Sequence, residues 1–124
     1  MTEFTVHLAN RPGMLAALTE KLASAGINIE ALAAFGLDEQ GQIRLMVDDA
    51  TTTRSVLHLA DISFDEREVL VITLEPRPGA LAAMTRRLAD AKVNIDAMYL
   101  LRSSSEGLEF AIAVDEPQRA RTVT

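Results

Sequence analysis

At 124 residues, with a net charge of −6 and no cysteine, the chain rules out several chemistries at once. Disulfides, thiolate metal sites and thiol nucleophiles are excluded. Residues 1–62 carry four Lys/Arg against eight Asp/Glu and residues 63–124 carry eight against ten, so neither half suits a phosphate backbone. Hydrophobic residues make up 48 % but aromatics only 4 %, so Leu, Ile, Val, Met and Ala must build the core.

No apolar run approaches the ~20 residues of a membrane span. Met1-Thr2-Glu3 leads directly into an apolar alternation, with no room for a signal peptide, and a cytoplasmic chain is expected. Phe4, Val6 and Leu8 alternate with Thr5 and His7, the period of a half-buried strand. Asn10-Arg11-Pro12-Gly13 breaks it. From Met14 to Ala25, Leu15, Leu18 and Leu22 recur at helical spacing, and Gly26 stands where a left-handed C-terminal cap belongs. Ile27, Ile29, Ala31, Ala33 and Phe35 predict a second strand, Asp38-Glu39-Gln40-Gly41 a turn, and Ile43, Leu45 and Val47 a third strand.

Asp48 or Asp49 is suited to cap a helix running to about Ala60, held by Val56, Leu57 and Leu59 because its Thr51-Thr52-Thr53 start has weak helix propensity. A fourth strand is expected over 62–68, completing β-α-β-β-α-β. The pattern then starts again. Leu70, Ile72 and Leu74 predict a strand, and Leu81, Met84 and Leu88 a helical stripe. A hairpin follows, from Val93–Leu101 to Leu108–Val114, turning within 103–107. Asp115-Glu116-Pro117 opens a last helix, with Pro117 in its first turn.

The recurrence is literal. Residues 11–32 and 77–98 are identical at 13 of 22 positions, 66 residues apart. Two units are therefore expected, at 1–68 and 69–124. Units near 60 residues bury only about 60 % of their unfolded surface, so packing together and dimerisation are the expected remedies. The second unit reaches Thr124 without a fourth strand, which leaves the edge of its first strand open. Two remedies suggest themselves: the segment 62–74 supplies strands to both units, or a partner chain covers the edge.

Two substitutions separate the copies. Gly26 becomes Lys92, which must carry a left-handed turn at a cost of about 1 kcal/mol. Asn10 becomes Pro76, which removes an amide and a backbone donor.

A helix N-terminus presents unpaired N–H groups and about half a positive charge, and Gly13 has no Cβ to obstruct a ligand. This suits a small carboxylate. Backbone donors near Gly13, with Asn10 and Asn28, have the chemistry to hold both ends of an α-amino acid. The structural reading stands beside it: Pro-Gly commonly starts a helix, and Asn before a strand is often a turn residue.

Asn10-Arg11-Pro12-Gly13-Met14-Leu15 with Gly26-Ile27-Asn28-Ile29, and Arg77-Pro78-Gly79-Ala80-Leu81 with Val93-Asn94-Ile95, resemble the ACT domains, small amino-acid-sensing modules of metabolic enzymes and regulators. The resemblance covers the whole chain. It implies an α+β protein of two ferredoxin-like βαββαβ units, with antiparallel sheets and helices on one face, the second unit truncated. It also implies a regulatory, non-catalytic role, with a small amino acid bound at an interface between units and neither cofactor nor metal.

The implied ligand-binding residues are Asn10, Arg11, Pro12, Gly13, Met14, Leu15, Asn28 and Ile29, and in the second unit Gly79, Ala80, Leu81 and Asn94. Implied partners are a second copy of the chain and a metabolic enzyme or regulator. The turn is most similar to the serine-sensing ACT domain of phosphoglycerate dehydrogenase, where two Asn residues matching Asn10 and Asn28 hold the ligand. That domain has a His where this chain has Leu8, so serine specificity is not carried over.

Three rival classes remain. An enzyme would need a nucleophile–base pair or a metal set. His7 and His58 lie on separate elements and read as surface residues, while Asp48-Asp49 and Asp115-Glu116 stand where caps belong. An RNA-recognition module shares the strand order but needs stacking aromatics on the central strands, and Phe35, Tyr99 and Phe110 are scattered. A ligand-free oligomerisation module fits the same sequence.

Overall fold

A computed structural model describes all 124 residues, in two compact units: Thr2–Arg67, and Met1 together with Glu68–Thr124. Met1 joins the second group because its ammonium meets Glu68 Oε1 at 2.7 Å and its carbonyl accepts from Val69 N at 2.8 Å. No helix is long and apolar enough to cross a membrane.

The first unit contains β1 (Thr2–Ala9), α1 (Met14–Ser24), β2 (Ile29–Leu37), β3 (Gln40–Val47), α2 (Ala50–Leu59) and β4 (Phe64–Glu68), with sheet order β2-β3-β1-β4. β3 runs antiparallel to both β1 and β2. Alternation in β1 and β3 sends Phe4, Val6, Ile43, Leu45 and Val47 to one face, where they meet Leu18, Leu22 and Leu57 of the helices. Asp49 caps α2, its carboxylate accepting from Thr52 N at 3.0 Å, and the Thr52 hydroxyl and amide together hold its pKa below the usual carboxylate value.

The second unit repeats this without the last strand: β5 (Leu70–Leu74), α3 (Ala80–Asp90), β6 (Ile95–Ser104), β7 (Gly107–Val114) and α4 (Pro117–Val123), in sheet order β5-β7-β6. Its core joins Leu70, Ile112 and Val114 to Met84, Leu88 and Ala120. Both units are thus α+β, with antiparallel ladders and helices over one face.

Several sequence expectations are corrected. The alternation Ile29-Ala31-Ala33-Phe35 does not stay on one face, because a bulge between Ile29 and Ala31 resets the register. One extra residue flips every later side chain. Leu32 and Ala34 then stand opposite Leu45 and Ile43, while Phe35 stands opposite Gln42 and is 50 % exposed. The same bulge recurs in β6 between Ile95 and Ala97, so it was duplicated with the unit.

Leu15 and Leu81 begin their helices one turn before the buried stripe and are 38 % and 40 % exposed. Leu59 is 89 % exposed. Thr53 is buried in α2 instead, its hydroxyl donating to Asp49 O at 2.8 Å. The segment 62–74 supplies β4 to one sheet and β5 to the other, but it leaves the far side of β5 unpaired. The linker therefore does not cover that edge.

One feature gave no sequence signal. Glu3, in β1, is fully buried, with Arg44 Nη1 and Arg67 Nε each 3.1 Å from its Oε1.

Candidate functional site

The two strand–turn–helix segments share one backbone. Gly13 and Gly79 sit at φ 88° and 89°, values that glycine adopts without the Cβ penalty, and no atom lies within 4 Å of where a Cβ would be built. In each turn the first helical residue donates back over three residues, Met14 N to Arg11 O and Ala80 N to Arg77 O, both at 3.3 Å. Ala17 N and Ala83 N each bond to the turn glycine's carbonyl at 2.9 Å. This leaves the N–H groups of Leu15 and Ala16, and of Leu81 and Ala82, without an internal acceptor, and no side chain caps either helix.

At the first turn Leu15 borders a cavity of about 140 Å³ lined by β1, the turn, α1 and the far end of the β2–β3 hairpin. Four of the expected residues line it: Asn10, Arg11, Met14 and Leu15. Leu8, Phe35 and Ile43 supply apolar wall, and Gly36 lets the Asn10 amide lie close, since a Cβ there would stand 2.7 Å from Nδ2. Phe35 and Gly36 escaped the sequence reading because the bulge and hairpin that deliver them are tertiary features.

Asn10 Nδ2 donates to Asp38 O at 2.8 Å, and Asn10 N to Glu39 O at 2.8 Å. The residue thus pins the hairpin tip to the turn and keeps Oδ1 as its unused acceptor. Arg11 has no carboxylate partner; its Nη2 rests 3.7 Å from Met14 Sδ. A guanidinium thus stands in the turn before the N-terminus of α1.

Asn28 and Ile29 do not reach this cavity. They stand at the start of β2, whose nine residues put roughly 26–30 Å between them and the Asn10 end. Within one unit, Asn10 and Asn28 therefore cannot grip the same small molecule. Asn28 is fastened by its backbone, with N donating to Asp48 Oδ1 at 3.0 Å and O accepting from Asp48 N at 3.2 Å. Asn94 repeats this with Asp115 at 2.8 and 3.1 Å, while its side chain donates to Asp96 Oδ1 at 2.8 Å.

The second turn keeps the geometry and changes the chemistry. Pro76 cannot pin a hairpin, Arg77 is tied to Glu75 at 2.6 Å, and Ala80 is buried. His7 and His58 are exposed: His7 lies 3.5 Å from Asp65, and the His58 ring meets Phe64 edge-on at 5.1 Å.

The solved structure of protein BT0572 from Bacteroides thetaiotaomicron superposes with a TM-score of 0.90 at 25 % identity, over 98 % of this chain and 84 % of that one. The ligand-free regulatory subunit of aspartate kinase from Thermus thermophilus gives 0.70 at 18 % identity, over 98 % and 89 %. Aspartokinase α and β subunits give 0.68 at 18 %, over 97 % and 87 %. No curated protein matches the chain. The sequence model of the ACT domain pair matches residues 1–124, and the chain belongs to that family.

Proposed function

We propose that the chain is a regulatory protein that binds a small amino acid at the turn of its first unit. The supporting observation is that Asn10, Arg11 and Leu15, whose N–H has no internal acceptor, line one cavity. The amides and Arg11 suit a carboxylate, Asn10 Oδ1 suits the ammonium, and Leu8, Phe35 and Ile43 suit a short side chain. At ~30 Å³ per water, the cavity has room for four or five waters, which favours a small ligand. Regulatory subunits of aspartate kinase put the same fold to a regulatory use.

Asn28, Ile29 and Asn94 belong to this reading as residues that reach a turn other than their own. A homodimer is the simplest source of such a turn, and a metabolic enzyme or regulator is the receiver of the bound state. Gly79, Ala80 and Leu81 form the weaker site, since Pro76 and Glu75 remove what Asn10 and a free Arg11 provide. Ligand binding shifts the assembly only by its difference in affinity between arrangements.

A thermal-shift screen of the twenty amino acids tests the reading. A ligand at a hundred times its Kd adds about 2.7 kcal/mol of stability, a shift of several degrees for a small protein. Arg11→Ala should abolish that shift. If no amino acid stabilises the chain, the ligand-free association module takes its place. The Asn10–Asp38 bond favours that second reading, because it gives Asn10 a purely structural task.

A further inference from the structure

Two glycines share one rung of the first sheet, and neither is required by its own backbone. Gly41 in β3 lies between Leu8 of β1 and Gly36 of β2. Unlike Gly13 and Gly26, both lack a positive φ, so other residues fit the same conformation. The sheet gains nothing from them, because glycine inside a strand weakens it and leaves its face unfilled. In the second unit the equivalent rung carries Leu108 between Leu74 and Ser103. The register therefore accepts a leucine where the first unit has Gly41.

Alternation places this rung on the helix side of the sheet, in line with Ile43 and Leu45 of the core. Gly36 has a structural use, because a Cβ there would strike the Asn10 amide. Gly41 accommodates no such side chain. A Cβ on it would stand 3.9 Å from Ile43 Cδ1, an ordinary contact, and 3.3 Å from Leu8 O. What Gly41 leaves open is the cavity of the first turn, which both glycines line together with Leu8, Ala34 and Ile43. That cavity has no Asp, Glu or Lys in its walls, and Arg11 is its only charged group.

We infer that the Gly41–Gly36 rung is the floor of a side-chain subsite whose depth Gly41 sets, and that the ligand is an α-amino acid with a short, uncharged aliphatic side chain; this rests on the amino-acid reading of the same cavity. With Arg11 on the α-carboxylate, a second carboxylate finds no cation, and an amine or guanidinium finds no anion. Leu8, Ala34 and Ile43 offer a polar side chain no hydrogen bond. An aromatic ring exceeds a cavity with room for about four or five waters. Aliphatic carbon laid on this floor gains about fourfold in affinity per buried methylene.

Glycine, L-alanine, L-valine, L-aspartate, L-lysine and L-phenylalanine, titrated separately into the full chain by calorimetry, test the inference. Affinity should rise about tenfold or more from glycine to L-valine, and the charged and aromatic amino acids should bind about tenfold or more weakly than L-valine. Gly41→Ala adds one methyl to the floor and should lower the ratio of L-valine to glycine affinity about fivefold or more. An unchanged ratio overturns the role of Gly41, whatever happens to the overall affinity. The unmodified chain tests the ligand class without any variant. Glycine binding as tightly as L-valine, or tightest binding by L-aspartate, L-lysine or L-phenylalanine, overturns the aliphatic class and leaves the amino-acid reading standing. Binding by none of the six, while another amino acid stabilises the chain, does the same. Binding by none of the twenty removes the reading and the inference together.

Discussion

The two turns have the same backbone to within a degree at the glycine, and different side-chain surroundings. At the first, Asn10 reaches 28 residues along the chain to pin a hairpin and Arg11 is left without a counter-ion. At the second, Pro76 breaks that reach and Glu75 takes up Arg77. Duplication preserved the backbone of the turn and let its side-chain surroundings drift. The buried interiors diverged as well. Glu3, held by Arg44 and Arg67, corresponds to the apolar and equally buried Val69.

The comparison is broken most forcefully in the cores. Leu22→Ala and Leu88→Ala remove equivalent buried side chains, and each should cost about 2–5 kcal/mol in chemical denaturation of the full chain. A cost under about 1 kcal/mol at one site alone would show that its unit is not a packed counterpart of the other. Next comes the ion cluster. Glu3→Ala leaves two half-buried arginines without their carboxylate and should cost about 3 kcal/mol, whereas Val69→Ala should cost about 1–2 kcal/mol. Equal costs would mean that the charge cluster contributes no more than apolar packing.

Smaller effects sharpen the contrast at the helix ends. Gly26 and Lys92 both adopt positive φ, 74° and 59°. Gly26→Ala should therefore destabilise by about 1 kcal/mol and Lys92→Gly stabilise by about 0.5–1 kcal/mol, read from denaturation midpoints. Shifts of the same sign would refute the shared geometry.

The smallest effect is a pH dependence. The hydrogen bonds from Arg54 hold Glu66 below its usual pKa, so this stabilisation is fully present above the ordinary Glu value and is lost as pH falls through the lowered one. Glu66→Gln should flatten the acid side of the stability profile, while Arg121→Gln, which breaks no ion pair, should leave it unchanged. A parallel loss in both variants would mean that Arg121 has an acidic partner after all.

What the chain alone determined is what neighbours within about one helical turn decide. Gly26 and Lys92 take the left-handed conformation that their positions demanded, and the helix stripes Leu18–Leu22 and Met84–Leu88 are buried as their spacing required. Asp49 caps, Pro117 opens α4, and the βαββαβ order follows from periodicity together with the repeat.

Tertiary structure decided everything that depends on groups far apart in sequence. The bulge that sets Phe35 opposite Gln42 arises from strand pairing, and Glu3 is tolerated because Arg44 and Arg67 arrive from 41 and 64 residues away. Asn10 and Asn28 looked like one pair in the sequence, yet β2 holds them at opposite ends of a rigid strand. Local conformation depends on steric limits that each residue carries with it; which side chains share a cavity depends on register, which no short stretch of chain contains.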